Sequence, residues 1–182
     1  MSFTEQLEKM FVAENEIPDA FALSTEVHQR EYLSNGEMKP WEGKVHEVYS
    51  PICIRTANGL QRKLIGTYPV CTEKEAFEAL DAAVAAYDNG RGQWPTMGVA
   101  DRIQCIEKFI VKMREQKDIV VKLIMWEIGK SYADSVKEFD RTVEYIYATI
   151  DALKDIDRDS SRFTIEHGFV QQFPVQIGRA HV

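Results

Sequence analysis

The side chains able to do chemistry in this 182-residue chain are few and widely spaced. Arg141 is the best candidate for holding an anion, because a guanidinium presents a planar fork of donors that matches a carboxylate or phosphate. At about 100° per residue it lies nearly opposite the apolar stripe of its helix, on a face shared with Lys137, Tyr145 and Ala148. Pattern alone favours a plainer use of that face, a solvated arginine pairing along the helix with Glu138 or Glu144. Glu127-Ile128-Gly129-Lys130-Ser131 also sets an acid and an amine close together. Its glycine is the residue that ends helices, so Glu127 and Lys130 read as structural.

Other kinds of site find little support. Cys53, Cys71 and Cys105 stand at unrelated spacings without a CxxC pair, which argues against a disulfide framework and against zinc. Cys105, between Ile103 and Ile106, is expected to be a buried thiol. His28, His46, His167 and His181 have no helical partners among themselves, so no metal site is expected. The ten glycines form neither GxGxxG nor GxxxxGK[ST], and Asn89-Gly90-Arg91-Gly92 reads as a helix stop rather than a phosphate loop.

These residues need elements to position them. Residues 1–25 are acidic, weakly patterned and broken by Pro18, and are expected to be a frayed helix or an extension outside the core. Asn35-Gly36 is a strong hairpin signal, since a type I′ turn needs positive φ at both central positions. Further strands are expected over residues 45–54 and 62–68, ended by Pro51 and Pro69. Four helices should follow. The first opens on the capping box Thr72-Glu73-Lys74-Glu75 and closes at Asn89-Gly90. The second carries Ile103, Ile106, Ile110 and Met113, with Thr96 as its expected N-cap and Asp101 in its first turn. The third, from Ile119 to about Ile128, is apolar around much of its girth. The fourth places Val136, Phe139, Val143, Ile146, Ile150 and Leu153 on one stripe. Phe163-Thr164-Ile165 and Phe169-Val170 then read as strand, split at Gly168.

Composition narrows the class. A 45% hydrophobic and 28% charged chain is ordinary for a globular domain, and its formal net charge of -7 without a basic block excludes neither solubility nor a small-molecule ligand but makes nucleic acid and anionic membrane poor partners. The opening residues lack the basic and apolar regions of a secretory signal, and no apolar run reaches membrane-spanning length, so a cytoplasmic protein is expected.

The ordered motifs together resemble the aldehyde dehydrogenase superfamily. Tyr32-Leu33-Ser34-Asn35-Gly36-Glu37 followed by Val48-Tyr49-Ser50-Pro51 is similar to that family's opening hairpin and strand. Thr72-Glu73-Lys74-Glu75-Ala76, Trp94-Pro95, Ala100-Asp101-Arg102-Ile103 and Glu127-Ile128-Gly129-Lys130 continue the match, which covers roughly residues 27–172. Trp126 to Ser131 and Glu138 to Thr142 look most like the NADP-dependent, non-phosphorylating glyceraldehyde-3-phosphate dehydrogenases. In those enzymes the arginine of the matching "RT" helps bind the substrate phosphate, so the resemblance assigns Arg141 to substrate binding.

The resemblance implies an α/β parent. There a cysteine thiolate attacks the aldehyde, hydride passes from the thiohemiacetal to NADP (or NAD), and a glutamate-activated water releases the acid. An asparagine of a "PFNYP"-like motif and a backbone N–H would hold the oxyanion. This chain has no such motif, and none of its three cysteines stands where the nucleophile would. Catalytic and cofactor-binding residues are therefore assigned to none of its positions, and the chain alone is expected to be inactive without bound cofactor.

On this reading residues 26–158 are the amino-terminal part of the dinucleotide-binding domain, a hairpin region plus four helices. Residues 159–176 begin an oligomerisation strand, in a parent expected to be a homo-oligomer. Ile177-Gly178-Arg179-Ala180-His181-Val182 departs from the family's "R-x-P-L-G-V" and is what ATC GGA AGA GCA CAC GTC, part of a sequencing-library adapter, encodes. Residues 177–182 are thus expected to be a non-native tail of a chain that naturally continues. Without the parallel sheet its helices should cover, the chain is expected to show apolar surface and an open strand edge near residues 163–173. The alternatives are an aldehyde dehydrogenase for an unphosphorylated substrate and a non-catalytic helical interaction module.

Overall fold

The computed structural model describes residues 3–23, 25–160, 164–166 and 169–171. The chain divides into two compact units, Met1–Leu80 with Gln116–Phe139, and Asp81–Glu115 with Asp140–Val182. It is a mixed sheet with helices, in keeping with an α/β fold.

The first unit is built on strands. β1 (Val27–His28), β4 (Val45–Thr56) and β5 (Gly59–Pro69) form a sheet in the order β1-β5-β4, with β1 parallel and β4 antiparallel to β5. β2 (Glu31–Ser34) and β3 (Glu37–Pro40) form the expected separate hairpin, with Ser34 opposite Glu37. Its turn residues have φ of 52° at Asn35 and 77° at Gly36, the left-handed pair that a type I′ turn needs. Pro51 does not end its strand. β4 continues to Thr56 through register shifts between Val48 and Cys53, so the proline sits at an irregularity where no ladder donor is missed.

Trp126 organises this unit. It is 5% exposed in a cluster with Leu23, Ile54 and Ile65, against which Ile17, Val48, Ile119, Leu123 and Met125 pack. Its indole Nε1 donates to the Phe21 carbonyl at 2.7 Å, and its own carbonyl accepts from the fully buried Ser50 hydroxyl at 2.6 Å. The Ser50 oxygen in turn accepts the Ile52 N–H at 3.0 Å. The amino-terminal segment therefore does not stay outside the core. Leu23 enters it, and Glu14 and Glu16 pair with Lys63 and Arg55. Weak periodicity hid this, because the segment docks by single side chains rather than by a repeating face.

The helices follow the expected stripes. α1 (Phe3–Glu8) precedes the strands, and α2 (Glu73–Tyr87) follows them. A four-residue helix, α3 (Gln93–Thr96), comes before α4 (Val99–Glu115), α5 (Lys117–Ile128) and α6 (Tyr132–Ser160). In the second unit Ile103 and Ile110 of α4 and Val143 and Ile150 of α6 are buried. Thr96 does not cap α4: it ends α3, donating its hydroxyl to the Gly92 carbonyl at 2.7 Å. Gly129 ends α5 at φ 67°, as its position in the sequence indicates.

α2 contributes no buried residue, and Phe77, Leu80, Val84 and Tyr87 stand exposed on it. Apolar surface of this kind is what the sequence leads one to expect of helices without a sheet to cover. β6 (Thr164–Glu166) and β7 (Phe169–Gln171) pair antiparallel. Phe163, Gly168 and residues 172–182, including the expected non-native tail, lie outside the described residues.

Removing the Ser50 hydroxyl leaves a buried carbonyl and a strand amide without their partner. Ser50→Ala should lower unfolding free energy by about 1–3 kcal/mol in urea titration; an unchanged midpoint would mean that neither bond matters to stability.

Candidate functional site

α6 presents the candidate anion-binding side chain, and its start shows how the sequence fixes that helix. Ser131 caps it: the Ser131 oxygen accepts the Asp134 N–H at 3.1 Å, and its hydroxyl donates to the Asp134 carboxylate at 2.7 Å. That bond, ahead of the nearby Lys137 charge, holds Asp134 below its ordinary carboxylate range. Lys130 pairs with Glu138, one turn further along. Lys130 thus ties the Gly129 junction to α6.

Arg141 is exposed on α6. Neither pairing expected from the sequence is present: among the described residues Arg141 forms no ion pair, with Glu138 engaged by Lys130. Its neighbours by helical spacing, Lys137 and Tyr145, differ in use. Lys137 lies 3.6 Å from Asp134, and Tyr145 is 66% exposed.

Beside that face the second unit carries an apolar groove of about 580 Å³ between α4 and α6. Ile103, Ile106, Phe109, Ile146 and Leu153 line it, with Trp94 at one side. Arg102, 7% exposed, also lines it, and sequence reasoning missed this burial because the residue type points to solvent.

Among the described residues no helix start offers the open turn that holds a phosphate. A phosphate-binding turn needs an open helix N-terminus after a strand. The start of α2, which follows β5, is closed by its own acid. Glu75 accepts from the Thr72 hydroxyl and from the Thr72 N–H at 2.8 Å, bonds that hold its carboxyl below the ordinary range in that order of importance. α6 is closed by Asp134 in the same way, and α4 and α5 carry Asp101 and Asp118 in their first turns. Among the described residues no group of histidine, cysteine and carboxylate side chains could hold a metal ion. No helix among them is long and apolar enough to cross a membrane.

The cysteines correct one expectation. Cys105 is exposed, as is Cys71, while Cys53 is partly buried. Cys105 sits about 100° round α4 from Ile106 and farther from Ile103, off the stripe that enters the core, so apolar neighbours in sequence did not bury it.

The aldehyde dehydrogenase family pattern matches residues 50–178. The chain belongs to the aldehyde dehydrogenase family. Among curated proteins it is similar to malonate-semialdehyde dehydrogenase 1 of Bacillus thuringiensis and malonate-semialdehyde dehydrogenase of Bacillus cereus, each 28% identical over 125 residues. That alignment covers 68% of this chain but 23% of each relative, so the chain spans about a quarter of the length of the aldehyde dehydrogenases it matches. No solved structure matches it. The matched stretch takes in the second half of β4, then β5 and α2 to α6, and therefore Arg141.

A thiol reagent applied to the native chain should label Cys71 and Cys105 rapidly and Cys53 more slowly, as mass spectrometry of the labelled peptides would show. Protection of Cys105 until denaturant is added would contradict its placement on the outer side of α4.

Proposed function

We propose that these residues are the amino-terminal part of an NAD(P)-dependent aldehyde dehydrogenase, and that Arg141 binds an anionic group on its aldehyde substrate. The family match over residues 50–178 carries the reading. Within that frame the chain contributes architecture and substrate contact. The cofactor, NADP in the closer resemblance or NAD, and the catalytic cysteine, glutamate and asparagine belong to segments these residues do not contain.

Two lines support an anionic substrate. The motif Arg141-Thr142 resembles the phosphate-binding position of the non-phosphorylating glyceraldehyde-3-phosphate dehydrogenases. The relatives' names point to malonate semialdehyde, an aldehyde bearing a carboxylate. Both substrates end in an anion, and an exposed guanidinium without an ion-pair partner among the described residues is available to meet either. Glyceraldehyde 3-phosphate is the leading substrate and an unphosphorylated aldehyde the second reading. A homo-oligomer in the cytoplasm, with a strand from residues 159–176 in its assembly, completes the proposal.

In the full-length enzyme, Arg141→Ala should raise KM for glyceraldehyde 3-phosphate by roughly tenfold or more, the loss of a charge-assisted hydrogen bond. KM for a neutral aldehyde should stay unchanged. A rise confined to malonate semialdehyde would select the carboxylate substrate, and equal effects on charged and neutral aldehydes would remove Arg141 from the site.

A further inference from the structure

Hairpin β2–β3 is attached by the wrong face for an apolar core. Cross-strand pairing puts Leu33 and Met38 opposite each other on one face, where they are 65% and 54% exposed. The other face carries Tyr32, Ser34 and Lys39, and all three reach one side chain of α2, Glu78. The Ser34 hydroxyl donates to Glu78 Oε1 at 3.0 Å, the Tyr32 hydroxyl makes a longer contact to Oε2 at 3.4 Å, and the Lys39 ammonium pairs with Oε1. Ser34 is 4% exposed, so its hydroxyl depends on that acceptor.

We infer that β2–β3 is a separable flap, latched to α2 by the Glu78 carboxylate rather than by burial of apolar side chains. An exposed lysine–glutamate pair alone would hold little. The latch differs because a buried hydroxyl and a cation converge on one oxygen, and losing the carboxylate leaves the hydroxyl without its acceptor. The charged and titratable groups facing Glu78 are Lys39 and Tyr32 on the hairpin and Glu75 one turn earlier on α2, with Glu37 beside Lys39. The Lys39 and Ser34 bonds hold the Glu78 carboxyl below its ordinary range. The latch is therefore fully formed above the carboxyl's unfolded-state pKa and is lost as pH falls through the lower folded-state value.

Hydrogen exchange on the 182-residue chain tests this, with residues 45–69 as internal reference. Glu78→Gln should speed exchange across residues 31–40 on the order of tenfold relative to the reference, and Glu78→Ala should do so further. Lys39→Met should have a similar effect to Glu78→Gln, and the double variant should fall short of the sum. Lowering the pH of the wild-type chain should release the same segment before the reference. Exchange over residues 31–40 that stays unchanged in Glu78→Ala and Lys39→Met, or that rises equally in residues 45–69, would overturn the latch. Should Glu78→Ala fail to fold, the wild-type acid titration and Lys39→Met decide the question alone.

Discussion

The buried core of the first unit is gathered around Trp126. One residue joins three separated stretches: its ring packs on Ile54 and Ile65 of the sheet, its indole N–H reaches the Phe21 carbonyl, and its backbone carbonyl takes the Ser50 hydroxyl. An indole can do this because it combines a large apolar body with one donor, so burial is favourable only when that donor finds a partner. Loss of such a side chain from a core costs about 3–5 kcal/mol, a large part of the stability of a small unit. The position of α5, and through Gly129 and Ser131 the start of α6, follow from this anchorage.

The two units solve different problems with the same helical chain. Around Trp126 the packing is closed by strands on one side and α5 on the other. In the second unit the stripe of α6 is buried at Val143 and Ile150 but opens into an apolar groove at Ile146 and Leu153. Exposed Phe77, Leu80 and Val84 on α2 add further apolar surface. The curated relatives, matched over 23% of their length, have ample further chain to cover such faces.

Much of this architecture was legible in the residues. Positive φ at Asn35 and Gly36, the αL glycine at Gly129 and the stripe from Val136 to Leu153 follow from strictly local rules, and each is found where the sequence places it. Long-range docking was not legible. Leu23 joins the core from a segment without periodicity, Arg102 is buried against its type, and Cys105 turns outward between two isoleucines. Glu78 reads as one more acid on a solvated helix until the hairpin brings Ser34 and Lys39 to it. For Arg141 the sequence could show the face and the family resemblance, and the structure adds that the pairings which would have occupied it are not formed.

We propose that these residues frame an aldehyde-oxidising enzyme whose reacting groups lie in other segments. The direct measurement is NAD(P)H formation from glyceraldehyde 3-phosphate and from malonate semialdehyde, comparing the 182-residue chain with a chain that carries it joined to the rest of an aldehyde dehydrogenase catalytic domain. Turnover is expected from the longer chain alone. Aldehyde-dependent reduction of either nucleotide by the 182 residues on their own, or none by the longer chain with any aldehyde, would contradict it.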